Sequence, residues 1–179
     1  MRRALLTLTA VLAVATSTLA VPALALAQKV VSTTPGKGGS PHETVEYKVG
    51  AATVTLIYGR PYLKGRGLDT LAPTGKVWRT GADEATTLTT DKALQIGTLA
   101  VPAGTYTLYT LPGSPWQLIV NKQTGQWGTV YQEGQDLGRV PMTAGKLDKP
   151  AEQLTIAVVG SNLEIHWGAM KQSVAISSK

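Results

Sequence analysis

Residues Val77–Thr87 concentrate the side chains best able to do chemistry. This stretch of eleven residues holds Trp78, Arg79 and the adjacent carboxylates Asp83 and Glu84. A carboxylate beside an arginine can bind a polar ligand, or act as an acid or base if its pKa is shifted. The same groups can form an arginine–carboxylate clamp that fixes a loop, and we favour this clamp. If the chain is extended, Trp78 and Arg79 point to opposite faces, so one enters the core while the other meets solvent or a partner.

A second basic segment precedes this stretch and contains Arg60, Lys64 and Arg66. Three cations on a glycine-rich loop can hold a carboxylate, phosphate or sulfate. The alternative is a solvated loop whose cations pair with local carboxylates such as Asp69. The candidate ligand-binding residues are Arg60, Lys64, Arg66, Trp78, Arg79 and Glu84. The weaker candidates for a catalytic role are Asp83 and Glu84.

Several reaction classes are excluded by what the chain lacks. It has no cysteine, which excludes disulfides, thiolate catalysis and cysteine-ligated metals. It has neither a G-x-S-x-G nucleophile motif nor a phosphate-binding G-x-x-x-x-G-K-[ST] loop. His42 and Glu43 imitate the start of a zinc-protease motif, but the second histidine is missing. Glu164 and His166 share one face of a predicted strand, which we interpret as a solvent-facing polar stripe. We predict no metal and no cofactor.

The N-terminal segment, residues 1–27, has the features of a signal peptide. Arg2 and Arg3 precede an apolar run that ends at Pro22, and Ala25-Leu26-Ala27 forms an A-x-A cleavage site. Cleavage there would leave a chain beginning at Gln28. We therefore expect an exported protein, periplasmic or extracellular, with no membrane span after cleavage. Residues 28–41 are rich in glycine, serine, threonine and proline and predict a flexible leader.

The charge balance is mildly basic. The full sequence carries a formal charge of +6, and two of those charges lie in the signal peptide. The remaining lysines and arginines are dispersed, and no recognisable nucleic-acid-binding module is present. The sequence therefore argues against nucleic acid as a partner, while an acidic ligand or an anionic surface remains compatible with it.

Residues 42–179 predict a single all-β domain. Val45, Tyr47 and Val49 alternate with polar residues, which is the pattern of a half-buried strand. About ten short strands follow from similar patterns, with turns at Gly50-Ala51 and Gly97-Thr98 and one helical turn near Leu68–Leu71. No segment keeps a helical apolar period over three turns. The pattern favours an antiparallel β-sandwich or a jelly-roll-like fold with little helix outside the signal peptide.

These motifs resemble those of the bacterial family called domain of unknown function 2911. The blocks that carry the resemblance are Arg60-Pro61, Lys64-Gly65-Arg66, Gly75–Ala82, Glu84–Thr87, Pro102–Tyr106, Asn121-Lys122 and Gln126-Trp127-Gly128. The resemblance covers about residues 40–177 and implies an exported β-rich domain, with no activity or catalytic residues attached. Asp83 departs from the family pattern, which has asparagine there.

Three functions are compatible with the sequence. The leading hypothesis is a non-catalytic β-sandwich that binds a small polar or anionic ligand, or a partner, near Arg60–Glu84. The second is a hydrolase acting on cell-envelope glycans with Asp83 or Glu84 as acid or base. The third is a purely structural envelope protein.

Overall fold

The computed structural model describes residues 28–179, so the predicted signal peptide lies outside the described residues. Its strands are β1 (Lys29–Thr34), β2 (His42–Val49), β3 (Ala52–Gly59), β4 (Thr87–Thr90), β5 (Leu94–Ile96), β6 (Leu99–Val101), β7 (Gly104–Leu111), β8 (Gln117–Asn121), β9 (Asp136–Pro141), β10 (Thr143–Val159) and β11 (Asn162–Ser178). One helical turn, α1 (Leu68–Leu71), and one 3₁₀ turn (Glu133–Gln135) complete the elements. In this part of the chain no helix is long and apolar enough to cross a membrane.

The strands form two antiparallel sheets that are not closed into a barrel, which confirms the predicted all-β sandwich. The larger sheet has the order β1-β2-β3-β4-β7-β8-β9, and the smaller has the order β10-β11-β5-β6. The predicted turns at Gly50-Ala51 and Gly97-Thr98 join β2 to β3 and β5 to β6. Gly50 and Gly97 have φ values of 56° and 54°, a left-handed conformation that glycine adopts at little cost.

The core lies between the two sheets and follows the alternation seen in the sequence. Val45, Tyr47 and Val49 of β2 are buried, as are Leu154, Ile156 and Val158 of β10. Each fully buried aliphatic side chain contributes about 1.5–3 kcal/mol to the free energy of unfolding. Without disulfides, this apolar contact is what holds the two sheets together.

The last two strands are longer than the sequence pattern predicts. β10 and β11 each contain 17 residues, whereas the sequence pattern predicts short strands throughout the domain. Residues 143–152 are mostly exposed, so they show no apolar alternation to reveal a strand. Gly168, with a φ of 57°, interrupts the alternation within β11 without ending the strand.

The segment 28–41, predicted to be a flexible leader, contains strand β1. Lys29–Thr34 pairs with β2 at the edge of the larger sheet, and all six of its residues are exposed. The composition correctly indicated that the segment buries little. Composition did not reveal the strand, because backbone hydrogen bonding at the edge of a sheet requires no apolar side chains.

Tyrosine hydroxyls and a loop cover the edge of β10. The Tyr47 hydroxyl donates to the Ile156 carbonyl at 3.0 Å, and the Ile156 N–H donates to the Tyr58 hydroxyl at 3.2 Å. Further along, the Leu154 N–H donates to the Pro61 carbonyl at 3.0 Å. Polar groups of the edge strand are thereby paired, and the loop that follows β3 is anchored to the opposite sheet.

Candidate functional site

A cleft of about 650 Å³ opens beside the loop that joins β3 to β4. Its lining has four cationic side chains and a single carboxylate, Asp83. The cations are Lys64, Arg66, Lys76 and Arg79. The aromatic side chains at the cleft are Tyr62, Trp78, Tyr109, Tyr131 and Trp167. Most predicted ligand-binding residues therefore meet at one cleft, together with Lys76 and several aromatic residues that the sequence did not single out.

Two of the predicted ligand-binding residues, Arg60 and Glu84, do not line the cleft. The Arg60 guanidinium is bound inside the fold. Its Nε donates to the Leu154 carbonyl and one Nη donates to Thr155 Oγ1, both at 2.9 Å. The other Nη forms an ion pair with Glu43, and the two side chains are only 19% and 12% exposed. Arg60 does not line the cleft. The structure gives it the role of joining the larger sheet to the edge strand β10.

Lys64 and Arg66 lie on an exposed turn at the mouth of the cleft. The Arg66 guanidinium donates to the carbonyls of Leu63 and Tyr62 at 2.9 and 2.7 Å, so backbone contacts hold its position. Neither cation forms a salt bridge with a carboxylate of residues 28–179, and Asp69 is not their partner. Their side chains therefore have no ion-pair partner in this part of the chain, although Glu152 Oε1 accepts the Lys64 backbone N–H at 2.8 Å.

Trp78 forms the floor of the cleft. Only 7% exposed, it stacks on Trp167 of β11 with ring centroids 5.4 Å apart and an interplanar angle of 8°. Its backbone N–H donates to the Thr110 carbonyl at 2.7 Å, which aligns this short extended segment with β7. Arg79 is half-buried at the cleft wall. Trp78 is thus buried, as predicted for one of the two residues, while Arg79 lies half-buried at the same cleft rather than on an opposite face.

The Trp167 indole N–H carries no hydrogen bond. The residue is 1% exposed, and no acceptor within residues 28–179 pairs with its Nε1. An unpaired buried donor costs about 1–3 kcal/mol relative to a paired one. Trp167 lines the cleft, but its indole nitrogen is itself buried.

The predicted clamp between Arg79 and the carboxylates is wrong. Arg79 Nε donates to the Gly81 carbonyl at 3.1 Å, and Arg79 forms no salt bridge within the described part of the chain. Asp83 has a φ of 61°, in the left-handed region, so the chain reverses there. Its carboxylate turns away from Arg79 towards the N-terminal segment and the start of β2.

His42 and Gly38 are the partners of Asp83. The Gly38 N–H donates to Asp83 Oδ2 at 3.1 Å, and His42 Nε2 lies 3.3 Å from the same oxygen. Glu84 Oε2 lies 3.7 Å from His42 Nε2, and Glu84 Oε1 lies 3.1 Å from Lys37 Nζ. Glu84's own backbone N–H and the Lys37 ammonium lower the pKa of Glu84 below its usual range. His42, Asp83 and Glu84 together form a cluster that could hold a metal ion.

Sequence reasoning missed this cluster because His42 lies 41 residues from Asp83. The chemistry of each residue was visible, but the contact depends on how the segment before β2 folds over the loop before β4. Lys76, by contrast, stands next to Val77 and Trp78 in the motif already singled out. The position of Lys76 in the cleft could have been inferred from its closeness to Trp78 in the sequence.

Tyr131 borders the cleft from the connection between β8 and β9. Its hydroxyl donates to Asp136 Oδ2 at 2.8 Å, and Arg139 Nη2 donates to the Tyr131 oxygen at 2.8 Å. Burial, followed by the neighbouring Asp136, raises the pKa of Tyr131 to about 12. Its ring packs edge-on against Tyr109, with centroids 4.9 Å apart. These contacts hold Tyr131 and part of the connection between β8 and β9 in place at the wall of the cleft.

The prediction that Glu164 and His166 form a solvent-facing polar stripe is wrong for Glu164, which is buried. The Glu164 side chain is 5% exposed, and its two oxygens lie 2.7 Å from His166 Nε2 and 2.8 Å from Lys171 Nζ. The pair does share one face, as the strand period requires. At Glu164 the rest of the fold covers this face of the strand. The Glu164 carboxylate is paired within the fold and does not line the cleft.

No match to the chain was found among curated proteins or among solved structures. The model of one protein family matches residues 40–176, a span that includes every strand except β1 and the last two residues of β11, and every residue lining the cleft from Ser40 to Trp167. That family is described as Protein of unknown function (DUF2911), and the chain belongs to it.

Proposed function

We propose that this protein binds a small anionic ligand in the cleft above Trp78. The observation that carries the proposal is a set of cations whose side chains form no salt bridge with a carboxylate of residues 28–179: Lys64, Arg66, Lys76 and Arg79. Like charges gathered at one concave surface raise the local potential and attract an oppositely charged ligand. Arginine also offers paired donors that fit carboxylate and phosphate groups.

The aromatic walls favour a ligand with a planar or apolar part beside its charge. Trp78, Tyr109 and Tyr131 border the same space as the cations. The volume of about 650 Å³ falls within the range of about 300–1,000 Å³ typical of small-molecule sites.

Phenyl phosphate and inorganic phosphate are suitable probes, because they share the anion and differ in the ring. Isothermal titration calorimetry should detect phenyl phosphate binding, with a weaker response to inorganic phosphate. Lys76→Ala and Arg79→Ala should each weaken phenyl phosphate binding. Lys92→Ala, which removes an exposed lysine outside the cleft, should leave it unchanged. Equal losses in all three variants, or no binding to the unsubstituted protein, would overturn the proposal.

Glycan hydrolysis by Asp83 and Glu84 has less support. A general acid near neutral pH needs a raised carboxyl pKa, whereas the pKa of Glu84 is lowered. Asp83 accepts a hydrogen bond from the Gly38 N–H and contacts His42, so its carboxylate already has partners. Both observations favour binding over acid–base chemistry at these two residues.

Export is the second part of the proposed function. Its support is the arrangement of Arg2, Arg3, the apolar run and the Ala25-Leu26-Ala27 site. N-terminal sequencing of the protein recovered from cell fractions should find a chain that begins at Gln28 outside the cytoplasm. Recovery of a chain that still carries residues 1–27 in the cytoplasmic fraction would contradict export.

A further inference from the structure

We infer that His42, Asp83 and Glu84 form a binding site for a divalent transition metal ion of the zinc class. The three side chains come from the start of β2 and from the loop before β4. One potential ligand atom from each residue lies within 4.8 Å of the others. An imidazole and two carboxylates are donors that zinc accepts, and a chain without cysteine has no thiolate to offer instead.

The distances fit a metal centre. Zinc binds imidazole nitrogen and carboxylate oxygen at about 2.0–2.2 Å, which places the ligand atoms of a tetrahedral site about 3.4 Å apart. His42 Nε2 lies 3.3 Å from Asp83 Oδ2 and 3.7 Å from Glu84 Oε2. Three protein ligands leave a fourth position for water or another ligand.

The buried carboxylate of Asp83 is an independent sign of such a site. Its side chain is 9% exposed; it accepts a hydrogen bond from the Gly38 N–H, and its one ionisable partner within residues 28–179 is the His42 ring. Buried carboxylates are normally paired with a cation or bound to a metal, because an isolated buried charge is strongly unfavourable. A metal ion bound between His42 and Asp83 would supply a positive charge to this buried carboxylate.

Lys37 does not block the site. Its ammonium contacts Glu84 Oε1, whereas Oε2 is the oxygen that faces His42. The Lys37 side chain is 78% exposed and is free to move into solvent. Glycine neighbours keep the space open: a Cβ at Gly38 would lie 2.7 Å from Asp83 Oδ1, and one at Gly59 would lie 3.0 Å from His42 Nε2.

Zinc titration of the purified protein, prepared without a polyhistidine tag, tests the inference. Calorimetry should show one Zn²⁺ bound per chain. Loss of even an outer partner of a metal ligand lowers affinity about 10- to 100-fold, so Glu84→Gln and His42→Ala should each lower it at least about tenfold. Glu84 is 46% exposed at its side chain, so Glu84→Gln keeps the test valid if His42→Ala fails to fold.

His166 provides a matched control. It is the other histidine of the chain and also contacts a carboxylate, but Lys171 takes the second oxygen of that carboxylate. His166→Ala should leave zinc affinity unchanged, and nuclear magnetic resonance of the two imidazoles should show zinc shifting His42 alone. The inference is overturned if the unsubstituted protein binds no zinc, if His166→Ala weakens binding as much as Glu84→Gln does, or if zinc shifts both rings equally.

Discussion

Trp78 and Trp167 stack nearly parallel, with ring centroids 5.4 Å apart and an interplanar angle of 8°. Trp78 belongs to the loop before β4, and Trp167 belongs to β11 of the smaller sheet. A third ring, Trp116, meets Trp78 edge-on at 6.4 Å. The floor of the cleft is therefore also part of the contact that holds the loop to the opposite sheet.

Replacement of Trp78 by alanine should strongly destabilise the protein. Removing a buried tryptophan costs about 3–5 kcal/mol, because both transfer energy and packing are lost. Urea unfolding should show this loss in the free energy of unfolding. Trp127 is 39% exposed and is the matched control, so Trp127→Ala should cost much less. Equal costs for the two variants would contradict the structural role of Trp78.

Arg60→Ala should destabilise the fold without removing a ligand contact. The Arg60–Glu43 pair is partly buried, with 19% and 12% of the side chains exposed, so deleting Arg60 should cost part of the roughly 3–5 kcal/mol that a fully buried pair costs. Arg66→Ala removes an exposed guanidinium and should cost less than about 1 kcal/mol. In phenyl phosphate titrations Arg66→Ala should have the larger effect, because it weakens binding, whereas folded Arg60→Ala should not weaken binding. If Arg60→Ala lost phenyl phosphate binding while its free energy of unfolding stayed unchanged, Arg60 would be a ligand-binding residue.

Local pattern was sufficient to predict most of the fold. The alternation of Val45, Tyr47 and Val49 identified β2, and the glycines at positions 50 and 97 identified two turns, because these signals depend only on neighbouring residues. β1 and the first half of β10 were missed for the opposite reason. Their residues are exposed, and they are strands because a neighbouring strand supplies hydrogen-bond partners.

The candidate site was predicted in part. Lys64, Arg66, Trp78 and Arg79 were identified by residue type, and the structure places all four at one cleft. The predicted clamp is wrong because sequence proximity alone pairs Arg79 with Asp83 and Glu84. Asp83 turns to His42 instead, a contact set by the packing of the 28–41 segment over the loop, which no local pattern records.

Tyr58→Phe should cost about 1–3 kcal/mol, because it leaves the buried N–H of Ile156 without its partner. The Tyr62 hydroxyl makes no hydrogen bond within residues 28–179, so Tyr62→Phe is the matched control and should be nearly neutral. Chemical unfolding of the two variants measures the difference. Equal stabilities would show that the Tyr58 hydroxyl does not hold the edge of β10.

Alkaline pH should reveal the environment of Tyr131. Its pKa is about 12 in the folded chain, against about 10 in an unfolded chain. The folded protein keeps a proton that the unfolded chain loses, so this contribution to stability is fully present below pH 10 and is lost as the pH rises towards 12. Tyrosinate absorbance of the protein minus that of Tyr131→Phe should titrate near pH 12. A difference curve centred near pH 10 would contradict the network with Asp136.

Gly128→Ala should weaken anion binding through Arg79. A Cβ at this position would lie 2.8 Å from Arg79 Cδ and 2.9 Å from the Asp83 carbonyl oxygen, so the arginine must move. A hydrogen bond to a charged group contributes about 1.5–3 kcal/mol, so loss of the Arg79 contact should lower phenyl phosphate affinity about tenfold or more. Gly134→Ala is the matched control, because nothing lies within 4 Å of a Cβ there. If both alanine variants bind phenyl phosphate as the unsubstituted protein does, then the position of Arg79 does not determine the affinity of the cleft.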